Sequence, residues 1–450
     1  MVSRIPSPLL RTLLVACATT VVVIATTQRS AAQPAAISVT RAFAHNNINT
    51  IVSPAANELV SVIIGLEGGL LTGETQNPAL GEFTSDLITS SGSHQYPKEA
   101  LRRFVSRTST SLYGQADARG ISYRMTTTLS HFDEAFRMLA SVVMNPLYDT
   151  VEFRNIMQQR IAAARRRWSQ PEGYAQLIAD SLIKLGHPVL SRITNEADIA
   201  SVTIPMMREF MGRITERTRM FVVVVGNVTP EQIREKLSLF DELPRGKYTQ
   251  AAVAPLVVPK SSSIEVVDLP KSPTTYVTAT FVGPVASGDD YWPMVVGMSH
   301  LRSRLFEEVR TKRNLSYAPQ SYLTSSLGQG IGAMAVSAVL PDSAVPVMLA
   351  EFEKMRRGEF TEKELEDAKA VFITNFYMSR MTNSDKATAL YNAERNTGRW
   401  ERAFGLDLIE AVRKEDVVRV FNAYPKAMQF GVVGPAAKIT RDRYRFDPKP

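Results

Sequence analysis

Two polar side chains in the second half of the chain are spaced so that they could converge on one point. Apolar residues recur on one face between 301 and 313, which predicts a helix that Asn314 ends. Arg310 then lies near the helix end and Tyr317 just past the turn, so the two side chains can converge. Arginine is always charged, and its planar fork suits carbonyl or carboxylate oxygens. Spacing alone favours a surface arginine and an unrelated core tyrosine over a shared site.

The other residues that could carry chemistry form no known catalytic pattern. No G-x-S-x-G turn or P-loop occurs in the sequence. The only cysteine, Cys17, lies in the N-terminal segment, so a chain cleaved after that segment has no thiolate and no disulfide. The histidines are scattered, and none has a second histidine or a carboxylate at the spacing of a metal motif: His45, His94, His131, His187 and His300.

Residues 1–32 have the composition of a secretory signal peptide. Arg4 and Arg11 precede an apolar stretch at 13–27, and the small residues at 30–32 suit cleavage by a signal peptidase. The stretch is short for a membrane span of about 20 residues. Cys17 resembles a bacterial lipidation site, but an arginine interrupts the apolar residues before it, which favours cleavage after Ala32 over a lipid anchor. We therefore predict an exported, periplasmic protein with no stable membrane span.

The length and net charge of the chain indicate how many domains it has and which partners to expect. The chain has 450 residues, of which 44% are apolar, enough for two ordinary domains. The formal charge is +8, and the first 32 residues hold three arginines and no acid, which leaves about +5 for the rest. One dense basic run occurs, at 165–167, without interleaved aromatic residues. We therefore expect no nucleic-acid partner.

The chain reads as two halves that repeat the same order of elements. Matching elements are offset by roughly 210 residues, which indicates a duplicated domain. We predict an N-terminal domain at 37–247, a proline- and serine-rich linker at 248–263 and a C-terminal domain at 264–450. The fold class is α+β, in which each domain has a mixed or antiparallel sheet with helices on one face. The predicted strands are 58–66, 220–225, 274–281 and 428–433, and the main helices are 132–144, 151–168, 206–214, 345–355, 361–378 and 416–423, with another starting at Thr229.

The run SRLFEEVRTKRNLSY at 303–317 resembles the substrate-gripping segment of zinc peptidases of the pitrilysin/insulinase (M16) family. The resemblance covers about residues 37–440. It implies two duplicated pitrilysin-like domains that form half of a clamshell, since short-chain members carry two domains and pair up. In the family, the tyrosine at the Tyr317 position donates its hydroxyl to the developing oxyanion, and the arginine at the Arg310 position binds a peptide carbonyl. The resemblance therefore marks Arg310 and Tyr317 as catalytic residues.

The same resemblance implies a zinc motif that this chain does not have. In the family, H-x-x-E-H in the first half supplies two zinc ligands and the general base, and a later glutamate completes the site. Here Glu82 and Asp86 stand at the histidine positions and Ser85 at the base, while 160–165 offers no glutamate. Two carboxylates without an imidazole suit zinc poorly. We predict no metal or other cofactor in this chain and interpret Glu82 and Asp86 as solvated acids.

These inferences combine into one hypothesis. The chain is the zinc-free, substrate-binding subunit of a heterodimeric metalloendopeptidase, inactive alone. Its partner is an M16 subunit of similar length that carries H-x-x-E-H and the zinc, and the substrate is an unfolded peptide. This chain supplies Arg310 and Tyr317 to the partner's active site. Two alternatives stay open, namely a catalytically inert scaffold or assembly subunit and a peptide-binding protein that acts alone.

Overall fold

The computed structural model describes residues 39–191, 193–250 and 253–446, and the strands in these ranges form two sheets. The strands of the first sheet are β1 (Arg41–His45), β2 (Ile48–Pro54), β3 (Leu59–Glu67), β4 (Ser111–Asp117), β5 (Gly120–Thr128) and β6 (Met220–Gly226). The strands of the second sheet are β7 (Ser263–Asp268), β8 (Thr275–Val285), β9 (Gln320–Ser326), β10 (Gln329–Ala338) and β11 (Gln429–Gly434).

The two sheets share one plan. Their spatial orders are β1-β2-β6-β3-β5-β4 and β7-β11-β8-β10-β9. The β2–β6 pair and the β7–β11 pair are parallel, and the other neighbouring strands are antiparallel. Strand β1 is the one addition in the first sheet, and it joins β2 through Asn46 and Asn47, whose φ angles are 45° and 73°. Asparagine tolerates this left-handed turn geometry. The predicted α+β fold with mixed sheets is confirmed.

The helices follow the sequence patterns closely where a cap or an apolar stripe marks them. In chain order they are α1 (Leu80–Ser91), α2 (Lys98–Thr108), α3 (Phe132–Met144), α4 (Thr150–Arg165), α5 (Pro171–Ile183), α6 (Glu196–Ala200), α7 (Ile204–Ile214), α8 (Pro230–Leu237), α9 (Tyr291–Leu305), α10 (Pro341–Arg356), α11 (Glu362–Met378), α12 (Asn383–Thr397), α13 (Leu406–Glu410) and α14 (Lys414–Ala423). Thr229 and Thr361 each cap their helix in a reciprocal capping box, as their spacing to Gln232 and Glu364 predicts.

One face of each sheet is covered by helices of its own half. In the first half, Phe83 of α1, Phe136 of α3 and Phe210 of α7 pack in one buried cluster with the apolar side chains of β3, β5 and β6. In the second half, Leu301 of α9 and Phe352 of α10 do the same against β8, β10 and β11. Burial of these large side chains supplies most of the driving force for each half to fold.

The opposite face of each sheet is covered by a helix from the other half. Helix α5 lies across β8 and β11, and helix α12 lies across β3 and β6. Glycine makes both approaches possible, because a Cβ atom at Gly65 would lie 2.3 Å from the Tyr391 hydroxyl, and one at Gly431 would lie 2.2 Å from the Ala175 carbonyl oxygen. Tyr391 also stacks on Phe221 of β6, with ring centroids 5.4 Å apart. The halves are therefore joined by a reciprocal exchange of one helix each.

The structure corrects several predicted boundaries, including the end of β8 and the helix at 301–313. Strand β8 continues through Gly283 and Pro284 to Val285. Proline has no N–H to donate to a neighbouring strand. It is tolerated here because the pairing with β10 changes register at this point, so no ladder hydrogen bond is needed. The helix predicted over 301–313 is the end of α9 followed by a π-helical turn, Phe306–Thr311.

The predicted signal peptide at 1–32 lies outside the described residues. Within the described ranges, no helix has both the length and the apolar content needed to span a bilayer.

Candidate functional site

Arg310 and Tyr317 are brought together at the end of α9. The Arg310 guanidinium carbon lies 4.3 Å from the centroid of the Tyr317 ring and 4.7 Å from that of Phe306, so the cation lies against two aromatic rings. Tyr317 is 77% exposed. Among the described residues, neither the Tyr317 hydroxyl nor the Arg310 guanidinium has a hydrogen-bond or ion-pair partner. Both polar groups are therefore available to a bound molecule, and their catalytic role stays a prediction.

The turn between the two residues is held by side chains on either side of it. The Glu308 carboxylate accepts hydrogen bonds from Lys312 at 2.6 Å and from Arg313 at 2.5 Å. These two cations lower the pKa of Glu308 to about 2. Asn314 then takes a left-handed conformation with φ of 49°, and the buried Ser316 hydroxyl accepts a hydrogen bond of 3.1 Å from Ser337 N in β10. The backbone just before Tyr317 is therefore held in place, whereas the Tyr317 ring is exposed.

The second predicted position, Glu82 and Asp86 on α1, is occupied by an ion-pair cluster. Arg160 of α4 donates to Glu82 Oε2 at 2.8 Å through Nη1 and to Asp86 Oδ2 at 2.6 Å and 3.1 Å through Nη2 and Nε. The Glu82 and Asp86 side chains are 58% and 41% exposed, as expected for solvated acids, but their pairing with an arginine was not predicted. Helical spacing places both carboxylates on one face of α1, where the facing helix supplies the arginine.

This arrangement does not fit a zinc ion. Burial alone would lower the pKa of Arg160, but the hydrogen bonds and charges of Glu82 and Asp86 outweigh that effect and raise it, so the guanidinium stays charged. A cation already binds the oxygens that a metal would need. Ser85, at the base position, is fully buried and donates its hydroxyl to the Glu82 carbonyl oxygen at 2.9 Å. Across the described ranges, no three His, Cys, Asp or Glu side chains come close enough to hold a metal.

A cavity of about 480 Å³ lies beside this cluster, between the two halves. Its walls come from α1 and α4, from β4 and β5, and from the exchanged helix α12. Arg395 of α12 binds Glu67 at 2.6 Å and Asp117 at 2.8 Å. Arg124 of β5 donates to Thr388 Oγ1 at 2.7 Å and lies 5.6 Å from the Tyr391 ring centroid. Arg310 and Tyr317 do not line this cavity.

The sequence did not predict the wall of this cavity that comes from the second half of the chain. Helix α12, which lines the cavity, was not predicted, although Thr382 and Asp385 form a capping box that the sequence shows. Arg124 was not predicted as a site residue, although a single charged residue within a strand of apolar and hydroxyl residues indicates a candidate binding residue. Phe306, which packs against Arg310, carries no signal of its own.

Comparisons with known proteins agree with this geometry. Residues 201–372, which include Arg310 and Tyr317, match the family described as the Peptidase M16 inactive domain. A curated relative, the probable inactive metalloprotease YmfF of Bacillus subtilis (strain 168), is 21% identical over 306 residues, which are 64% of this chain and 70% of that protein.

Solved structures share the fold at low sequence identity. The peptidase M16 inactive domain from Pseudomonas fluorescens has a TM-score of 0.79 at 17% identity, with 91% of this chain and 99% of that chain covered. A protease from Helicobacter pylori has a TM-score of 0.78 at 17% identity, with 88% and 99% covered. The periplasmic protease PqqL from Escherichia coli has a TM-score of 0.72 at 14% identity, with 88% of this chain but 46% of that longer chain covered.

The fold and the matches together indicate an M16-like protein. Residues 201–372 match the Peptidase M16 inactive domain, and Arg160 binds the carboxylates of Glu82 and Asp86 on α1. The resemblance drawn from the run at 303–317 is confirmed.

Proposed function

We propose that this chain is the zinc-free, substrate-binding subunit of a two-chain M16 metallopeptidase. A partner of similar length would carry H-x-x-E-H, the zinc and the general base. This chain would supply Arg310 and Tyr317 to that active site and would not cleave peptides alone. The observation that carries the proposal is the pair itself, because both polar groups are free while the residues around them are fixed.

The chemistry of the pair supports a role in peptide hydrolysis. A tyrosine hydroxyl directed at a developing oxyanion, in a site closed to water, lowers the barrier by about 3–4 kcal/mol. The Arg310 guanidinium, which lies against the rings of Phe306 and Tyr317, can donate a charge-assisted hydrogen bond to a peptide carbonyl oxygen. Tyr317 is too exposed in this chain to provide such a dry site alone. Closure by a second subunit would exclude water from it.

Export belongs to the same proposal. The N-terminal segment has arginines, an apolar stretch and small residues, and one structural neighbour is a periplasmic protease. We therefore place the two-chain enzyme outside the cytoplasm, where unfolded peptides are its substrate class.

Co-expression with an H-x-x-E-H chain from a neighbouring reading frame tests the proposal. The expected result is a stoichiometric complex that cleaves unfolded peptides, while each chain alone is inactive. Tyr317→Phe should leave complex formation intact and lower kcat about 10²- to 10³-fold. Peptidase activity of this chain alone would contradict the proposal. Full activity of the Tyr317→Phe complex would favour an inert scaffold, and peptide affinity without any partner complex would favour a lone binding protein.

A further inference from the structure

Arg124 is a buried cation without an anionic partner. It is 8% exposed, its Nε is buried without a hydrogen-bond partner, and among the described residues no carboxylate lies within 4.0 Å of its guanidinium. Its contacts are the Thr388 hydroxyl and the Tyr391 ring, neither of which carries a charge. Burying a charge without a counter-charge is unfavourable, which makes such a residue uncommon unless it meets a ligand.

The side chain lies where a ligand can reach it. Successive residues of a strand point to opposite faces of the sheet. Tyr123 is in the core of the first half, whereas Arg124 is on the other face and lines the cavity of about 480 Å³ under α12. That cavity also borders the outer strand β4, at Gly114–Asp117. The volume is sufficient for a carboxylate with a short stretch of peptide.

The other charges of the cavity already have partners. Glu82 and Asp86 bind Arg160, and Asp117 binds Arg395. Arg124 is therefore the one lining cation that has no carboxylate within the described residues. A ligand that supplies a carboxylate would give Arg124 the kind of counter-charge that Arg160 and Arg395 already have. Ser122 and Asn392, which also line the cavity, add neutral hydrogen-bonding groups.

We propose that this cavity binds the carboxylate of a peptide ligand through Arg124. The carboxylate could come from the peptide's C-terminus or from an acidic side chain. Guanidinium and carboxylate groups match in geometry, and the burial of Arg124 reduces the screening of their attraction by water. The site is formed by the two halves of this chain and needs neither the partner subunit nor Arg310 and Tyr317. It extends the proposed subunit role to a selectivity for acidic or C-terminal peptide segments.

A peptide library binding experiment on the full chain alone tests this site. The probe is a library of fixed-length peptides, half with free and half with amidated C-termini, captured on immobilised protein and read by mass spectrometry. Free-acid peptides should be enriched over their amides by about tenfold or more, as expected for a hydrogen bond to a charged group. If the acidic side chain is the source, enrichment should instead follow Asp and Glu content in both halves of the library.

Variants at the site make the test specific. Arg124→Gln should abolish the enrichment, and Arg124→Lys, which keeps the charge but loses the fork, should retain part of it. Arg302→Gln, an exposed arginine outside this cavity, is the matched control and should bind as the wild type does. Thermal unfolding shows whether each variant is folded. Absence of enrichment in the wild type, or unchanged enrichment in a folded Arg124→Gln protein, would overturn the inference. These two outcomes would not contradict the proposed two-chain enzyme, because the partner subunit is absent from the binding experiment.

Discussion

The Arg310 guanidinium lies on the face of the Tyr317 ring, 4.3 Å from its centre. This contact holds the arginine against the tyrosine without using its hydrogen-bond donors. A cation over an exposed ring contributes about 0.5–1 kcal/mol, which is enough to bias the side chain toward one orientation.

We expect Arg310→Met to lower kcat/KM of the reconstituted complex about 10- to 100-fold, the range of a lost hydrogen bond to a charged group. Steady-state kinetics on an unfolded peptide measure the effect. Arg302→Met, a change of the same type on the preceding helix, should leave kcat/KM unchanged. Equal losses in both variants would mean that the effect comes from charge in general rather than from the pair.

Zinc binding should depend on removing Arg160. A variant with Glu82→His, Ser85→Glu and Asp86→His restores the H-x-x-E-H pattern but keeps the competing guanidinium. Adding Arg160→Glu should raise zinc affinity by more than about 100-fold, beyond the 10- to 100-fold typical of an outer-shell change. Titration calorimetry with zinc compares the two proteins. Tight zinc binding by the variant that keeps Arg160 would show that the guanidinium does not exclude the metal.

The close approach of α5 to β11 should make Gly431 sensitive to a single methyl group. An added Cβ would lie 2.2 Å from a backbone oxygen, so the helix must shift, and we expect Gly431→Ala to lower the free energy of unfolding by about 1–3 kcal/mol. Gly173→Ala is the matched control on α5, where no atom lies within 4 Å of the added Cβ. It should be neutral or stabilise by up to about 1 kcal/mol. Urea denaturation measures both, and similar effects would contradict the packing argument.

The Glu308 turn should confer stability that depends on pH. Its pKa lies near 2 in the folded chain because Lys312 and Arg313 stabilise the carboxylate, compared with 4.5 as the ordinary value. A lowered folded pKa means that the stabilisation is present above pH 4.5 and is lost as pH falls toward 2. Glu308→Gln should therefore have a lower melting temperature than the wild type at pH 7, and the difference should disappear near pH 2. A difference independent of pH would exclude the ion pairs as its cause.

Local sequence signals predicted the elements whose causes lie nearby in the chain. The capping boxes at Thr229 and Thr361 and the apolar stripe of α3 depend on residues within a few turns, so their helices were found. The Arg310 and Tyr317 contact was also predictable, because only one turn separates the two residues. The π-helical turn at 306–311 was not, since its hydrogen-bond shift has no marker in residue type.

The elements that were missed owe their positions to distant residues. Helix α12 is fixed by packing on β3 and β6, more than 150 residues earlier in the chain, and α5 by packing on strands that follow it. The same holds for Arg160, whose pairing with Glu82 and Asp86 is set by how α4 crosses α1. Residue types at 82, 86 and 160 showed that zinc ligands were missing, but only the fold shows that a guanidinium takes their oxygens.

The exchange of α5 and α12 determines the order in which the nascent chain can become a folded protein. Ile51, Ile63 and Val223 share their buried cluster with Leu390, Tyr391 and Ala403. The first sheet therefore cannot cover this apolar face until residues near 400 have been synthesised. A chain that emerges from its N-terminus would present this face to solvent, or to a chaperone, until α12 is available. The first half can therefore complete its folding only after α12 has been synthesised.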